Sequence, residues 1–236
     1  MKGLKQINNE IKKNAKRIEE LTNEVCELSN RDEIRTEARA NNYARCKELH
    51  EEAEKNAEQI KSISEEIYIL KIIGAILQEN RRAAIINEAL PIIAAACEPY
   101  NGKAYGEKTR EKIRDQVRAA GFTFYFDGYG TRDRLEVAAL NANGCCYGSD
   151  YCTIYTNYET PFVDSFNKLQ FDASTLRNRY KYAENPRKAA KAIIKAHETF
   201  RKATAKAYAA QSAINELLPE SIDRFRNVTE PYRTIV

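Results

Sequence analysis

Three cysteines lie close together in the middle of the chain, and soft sulfur ligands at such spacing invite a metal. Structural zinc takes four ligands, commonly as two closely spaced pairs. Cys145, Cys146 and Cys152 offer one cluster without a second pair nearby, and Cys46 with His50, one helical turn apart, would have to be carried to them by the fold. No metal is expected, and the thiols are read as small buried or loop residues. His50 and His197 are the only histidines; both fall in helical sequence and neither belongs to a nucleophile constellation. Asp127, Asp133 and Glu136 stand near strand ends as in metal-dependent nucleases, but the lysine that pattern needs two residues after the glutamate is replaced by Ala138. Neither familiar glycine-rich phosphate loop is present. No catalytic residue and no cofactor are expected, and the chain is read as non-enzymatic.

Charge offers a different chemistry. Arg187, Lys188, Lys191, Lys195, Lys202 and Lys206 lie in one helical stretch, and at ~100° per residue the five lysines fall in a narrow stripe. Such a stripe can neutralise phosphates with strongly salt-dependent affinity, can meet an acidic protein surface, or can be a solvated flank. The net charge of +4 is too near neutral to announce a nucleic-acid binder. The positive excess is nevertheless local, 11 basic against 6 acidic residues in 181–236.

The elements that must position these residues divide the 236-residue chain into three regions. Residues 1–90 read as a coiled-coil helical region. Leu4, Ile7, Ile11, Asn14, Ile18, Leu21, Val25 and Leu28 alternate spacings of three and four, and a second run from Cys46 through Asn56 and Ile60 to Leu70 repeats the pattern. Ile11, Asn14, Ile18, Leu21, Val25, Leu28, Asn56 and Ile60 are the candidate interface, with the two amides either fixing register or merely tolerated near solvent. The register carries through Asp32, Arg35, Arg39 and Asn42, as in one long helix, while Ser29 to Glu33, with capping-box spacing from Asn30 to Glu33, fits a hairpin turn equally well. From Ala83 to Ala96 a more buried helix is expected, interrupted at Pro91.

Residues 91–183 form the aromatic, turn-rich part, with seven of the nine glycines between Gly102 and Gly148. A helix over Thr109–Ala120 stops at Gly121. Phe122–Phe126, Arg134–Leu140 and Asp150–Thr156 alternate as strands, separated by the turn Asp127–Gly130 and the loop Asn141–Gly148. The expected unit is a three-stranded antiparallel meander whose apolar side the helix covers. Residues 184–236 hold a long basic helix capped by Asn185 and Pro186. Its seam of Ala189, Ile193, Ala196, Phe200, Ala203, Ala207, Ala210, Ile214 and Leu217 would pack on the N-terminal helices. The fold class is α+β, mainly α.

The order of helix, strands and later basic helix resembles the double-stranded RNA-binding domain, but some 30 residues separate the third strand from Pro186 and the loop and strand residues do not match. Gly121–Phe126 resembles the aromatic strand of RNA-recognition motifs, in the wrong strand order. The run from Tyr100 to Ile113 (YNGKAYGEKTREKI) resembles a segment of an uncharacterised coiled-coil plus α/β family of Gram-positive phages and prophages, which has no known active site to transfer. That resemblance implies a phage or mobile-element accessory protein that binds and blocks a host machine, anti-defence factors such as CRISPR-nuclease inhibitors included. The expected partner is a host protein or ribonucleoprotein, with direct nucleic-acid binding and a structural assembly role as alternatives. A homodimer through the N-terminal coil is expected. No apolar run reaches the ~18 residues of a membrane span and no signal segment opens the chain, so a cytoplasmic location is expected.

Overall fold

The computed structural model describes residues 2–127, 134–146, 151–155, 162–176 and 178–217. Gly128–Gly130, Asp133, Gly148, Asp150, Thr156 and Pro219, which the sequence places in turns, strand ends and a helix stop, lie outside the described residues. The protein is α+β and mainly α. Its helices are α1 (Leu4–Leu28), α2 (Arg31–Arg39), α3 (Tyr43–Lys55), α4 (Ala57–Cys97), α5 (Glu107–Ala119) and α6 (Pro186–Leu217). Strands β1 (Phe122–Asp127), β2 (Arg134–Ala139) and β3 (Cys152–Tyr155) form one antiparallel sheet in that order. The chain divides into two compact units, residues 1–186 and 187–236.

The N-terminal region is a helical hairpin. Asn8 meets Arg81, Asn14 meets Leu70, and Asn56 meets Leu28, so α1 runs antiparallel to α4. The chain reverses at Ala40–Asn42, where Asn41 adopts the left-handed conformation (φ 57°) and the Asn42 side chain caps α3 through the Arg45 amide. Ser29 and Asn30 only interrupt the first arm. Asn30, at φ 50°, makes no cap to α2 and sends its amide across to the Leu49 carbonyl, 3.3 Å away.

The two seam amides have partners of the same kind. Asn14 Nδ2 donates to the Leu70 carbonyl at 3.0 Å, and Asn56 Nδ2 to the Leu28 carbonyl at 3.1 Å. Each links a side chain on one arm to the main chain of the other, which specifies register more sharply than apolar contact does. A Cβ on Gly74 would come within 3.2 Å of Asn14 Nδ2, so glycine there leaves the amide its room. Leu21 is buried; Ile11, Asn14, Ile18, Val25, Leu28, Asn56 and Ile60 are half-buried.

Helix α4 runs through Pro91 without a break, correcting the interruption expected there. Pro91 is exposed and Asn87, whose carbonyl would have taken the missing N–H, is exposed as well, so the lost bond falls on the solvent side, where water can replace it. Residue 90, an expected domain limit, therefore lies inside a continuous helix. The far half of α4 is the floor of the α/β part. Ile85, Ile86, Ala89 and Ile93 pack with Ile113 and Val117 of α5, with the sheet, and with Phe162, Leu169 and Phe171. Phe122, Phe124, Leu135, Val137, Cys152 and Ile154 fill the core from the sheet.

Two further amides tie distant segments in. Asn80, 2 % exposed, both donates to the Ala183 carbonyl (2.9 Å) and accepts from the Ala183 amide (2.7 Å). Asn101 does the same with Phe171, at 3.1 and 2.9 Å. Substituting Asn80→Ala leaves two main-chain groups without partners. It is expected to cost about 2 kcal/mol or more of stability, measured by urea unfolding; a loss within about 0.5 kcal/mol would show that water replaces the amide freely.

Helix α6 begins at Pro186, the last residue of the first unit, as its sequence indicates, and its remaining residues belong to the second. Along it Ile193, Phe200 and Tyr208 are 43 %, 52 % and 59 % exposed, as are the smaller seam residues Ala196, Ala203, Ala207 and Ala210.

Candidate functional site

Helix α5 is anchored by Ile113 and Val117, both fully buried. The residue after each of them is an arginine, and with Arg110 this gives Arg110, Arg114 and Arg118 at spacings of four. They form a row along one side of the helix, each about 6 Å further along the axis. Gly121, at φ +86°, then lets the chain reverse directly from α5 into β1. The short connection keeps the arginine row beside the strand.

β1 is the first strand of the sheet and, among the described residues, pairs with β2 alone. Between its outer edge and α5 lies a groove of two adjoining hollows that share Arg114, Phe124 and Tyr125. One, of about 350 Å³, is bounded by Arg110, Arg114, Tyr105 and Phe162; the other, of about 520 Å³, by Arg114, Arg118, Thr123 and Tyr151. Phe124 and Tyr125 border both. The Arg110 guanidinium lies 5.1 Å from the centre of the Tyr105 ring, a cation–π contact that holds it in place. Among the described residues none of the three arginines makes an ion pair or a hydrogen bond. Glu111, Asp115 and Asp164 also border the groove. Asp164 is committed to its own turn: it accepts from the Phe166 and Lys168 amides at 2.9 and 2.8 Å. Those donors, the Lys168 amide foremost, hold its carboxyl below the usual range.

The other face of the sheet carries a bonded cluster. Tyr125 Oη donates to Glu136 Oε2 at 2.7 Å; Thr153 Oγ1 and Arg134 Nε each reach Glu136 Oε1 at 3.4 Å. Register causes this, since Tyr125, Glu136 and Thr153 are directly opposite one another on the three strands. Tyr125 also meets the Tyr151 ring edge-on at 5.1 Å. The Glu136 carboxylate beside it pushes the Tyr125 hydroxyl up to about 12. Glu136 is 8 % exposed, and with these partners it braces the sheet.

The remaining sequence candidates are dispersed. Cys145 is exposed, Cys146 half-buried and Cys152 buried in the core. Cys46 sits under the hairpin near the Ile34 carbonyl, and His50 is exposed. Among the described residues no three histidine, cysteine or acidic side chains gather as a metal would require. Burial pushes the Cys97 thiol up to about 12, which suits an inert core residue. Arg187, Lys188, Lys191, Lys195, Lys202 and Lys206 are all exposed on α6, as is His197.

The arginine row is a feature that the sequence reading missed. Its spacing was visible inside the predicted helix, but acidic residues three positions before each arginine make the segment look like an ordinary solvated face. No protein-family model, curated protein or solved structure matches the chain.

The Tyr125–Glu136 bond has a measurable signature. Tyr125 is an acid whose folded pKa lies above its ordinary value of 10, so the contribution is complete below about pH 10 and disappears as the pH rises toward about 12. Tyr125→Phe is expected to cost about 2 kcal/mol near neutrality and to flatten that alkaline decline, followed by urea unfolding as a function of pH. An unchanged alkaline decline would separate it from Tyr125.

Proposed function

We propose that this protein is a non-enzymatic binding factor that acts by occupying the surface of a macromolecular partner, with the groove between α5 and β1 as its contact surface. The observation that carries the reading is the row Arg110, Arg114 and Arg118, three guanidinium groups beside an open strand edge with no ion-pair partner among the described residues. All three are exposed, so their guanidinium groups are available for charge-assisted hydrogen bonds to an anionic surface. The blocking of a host machine, anti-defence action included, belongs to the proposal through the resemblance of Tyr100–Ile113 to the phage family. A homodimer is not needed for it, because α1 finds its seam partner in α4 of the same chain. No helix among the described residues is long and apolar enough to cross a membrane.

The test is affinity capture from a nuclease-treated bacterial lysate, comparing the native chain with Arg110→Glu/Arg114→Glu/Arg118→Glu. Recovery of one protein by the native chain, reduced at least tenfold in the triple variant while circular dichroism is unchanged, is the expected result. Equal recovery by both would remove the groove from the function.

A second reading, direct nucleic-acid binding, is favoured by Lys191, Lys195, Lys202 and Lys206, which are exposed on α6 and make no ion pair among the described residues. It predicts a single-stranded DNA mobility shift that weakens steeply between low and physiological salt and is lost in Lys191→Glu/Lys195→Glu/Lys202→Glu. No shift at low salt would eliminate it.

A further inference from the structure

We infer that the edge of β1 left unpaired among the described residues accepts an extended acidic segment of a partner protein as a fourth strand, with its acidic side chains meeting Arg110, Arg114 and Arg118. This inference rests on the groove reading above and specifies its occupant.

Three observations converge on a strand. The first is the edge itself. Natural sheets protect an exposed edge with lysine, proline, a bulge or a covering element. β1 reads Phe122-Thr123-Phe124-Tyr125-Phe126-Asp127, with neither lysine nor proline, and keeps an unbroken register with β2 over all six positions. It is a regular, pairing-competent edge.

The second is the placement of the groove. It is bordered on one side by α5, which packs beneath the core face of the sheet, and on the other by Thr123, Tyr125 and Tyr151 of the opposite face. The space therefore straddles the plane of the sheet beside β1, where an added strand would lie. Alternate side chains of that strand would point toward α5 and toward the tyrosines.

The third is the match of periods. Same-face side chains of an antiparallel strand recur every ~6.8 Å, and residues four apart on a helix every ~6 Å. Over three positions the mismatch reaches about 1.6 Å by those spacings, which long arginine side chains absorb. Acidic residues at alternate positions would each face one guanidinium, and the intervening residues would face Thr123, Tyr125 and Tyr151.

The same features disfavour other occupants. A nucleic-acid strand bound there would need rings free for stacking, and those bordering the groove are engaged with other rings: Phe126 with Phe162 at 4.7 Å, Tyr125 with Tyr151 at 5.1 Å. A second copy pairing through β1 would bring two arginine rows to the same interface.

The experiment uses the full chain and a pooled library of nine-residue peptides with glutamate at alternate positions and Val, Ile, Thr, Tyr or Phe between them. A matched library with lysine for glutamate and a (dT)12 oligonucleotide serve as controls. Fluorescence anisotropy should give at least tenfold tighter binding for selected glutamate peptides than for lysine peptides or (dT)12, and hydrogen exchange should slow at β1 amides. N-methylation of one alternate set of peptide amides should abolish binding, and methylation of the other should leave it. Equal tolerance of both sets, protection elsewhere than β1, or preference for (dT)12 would overturn the inference. If lysate capture depends on the three arginines but these peptide results fail, strand addition alone falls; if capture is independent of them, the groove reading falls with it.

Discussion

Helix α4 must bury different stripes along its 41 residues, and this demand organises the first unit. Its first half buries only a narrow seam, Leu70, Ile73 and Leu77, which α1 covers. From Ala83 to Ile86 four successive residues are buried, so neighbours are required on nearly every side, and α5 and the sheet provide them. Beyond Ile86 the polar residues of the helix, Asn87 and Glu88, are exposed, and Pro91 lies on the same solvent side, where its missing bond is tolerated. A helix carrying both kinds of surface cannot be cut into a stalk and a head, and the core that positions the arginine groove is continuous with the hairpin.

Asparagine amides hold the segments around this helix. Asn14, Asn30 and Asn56 reach main-chain carbonyls across the hairpin, and Asn80 and Asn101 each clamp both main-chain groups of one distant residue. Apolar packing is non-directional, and a seam of isoleucine and leucine tolerates a slip of one heptad. An amide bonded to one particular carbonyl does not. The Asn80 and Asn101 clamps do the work of a short ladder where the chain has no strand to pair, bringing residues 70 to 103 positions apart into register.

The groove follows from the same economy of elements. The sheet has three strands, with α4 and α5 beneath its apolar side, so β1 is left with an edge that nothing among the described residues pairs. The tight turn at Gly121 brings α5 back beside that edge. Ile113 and Val117 orient the helix by their burial, and the arginines that follow in sequence are thereby set along the groove. The Tyr125–Glu136–Thr153 cluster stiffens the strand from its other face.

Much of the architecture was legible in the chain: the heptad runs, the helix ending at Gly121, the alternation of Phe122–Phe126 and the start of α6 at Pro186 are local patterns, and local patterns report helices and strands directly. The hairpin was legible only as one of two options, because the heptad register continues through residues 31–42 whether or not the chain turns. Asn41 and Asn42 decided it by adopting a left-handed and a capping conformation that only the packed arms select. Pro91 misled, since the cost of a proline depends on whether its missing bond faces water. Tertiary structure alone placed Arg110, Arg114 and Arg118: their spacing is a property of the sequence, but their position beside a strand edge that nothing among the described residues pairs is not, because which strand of a sheet is left at the edge depends on contacts between residues far apart in the chain.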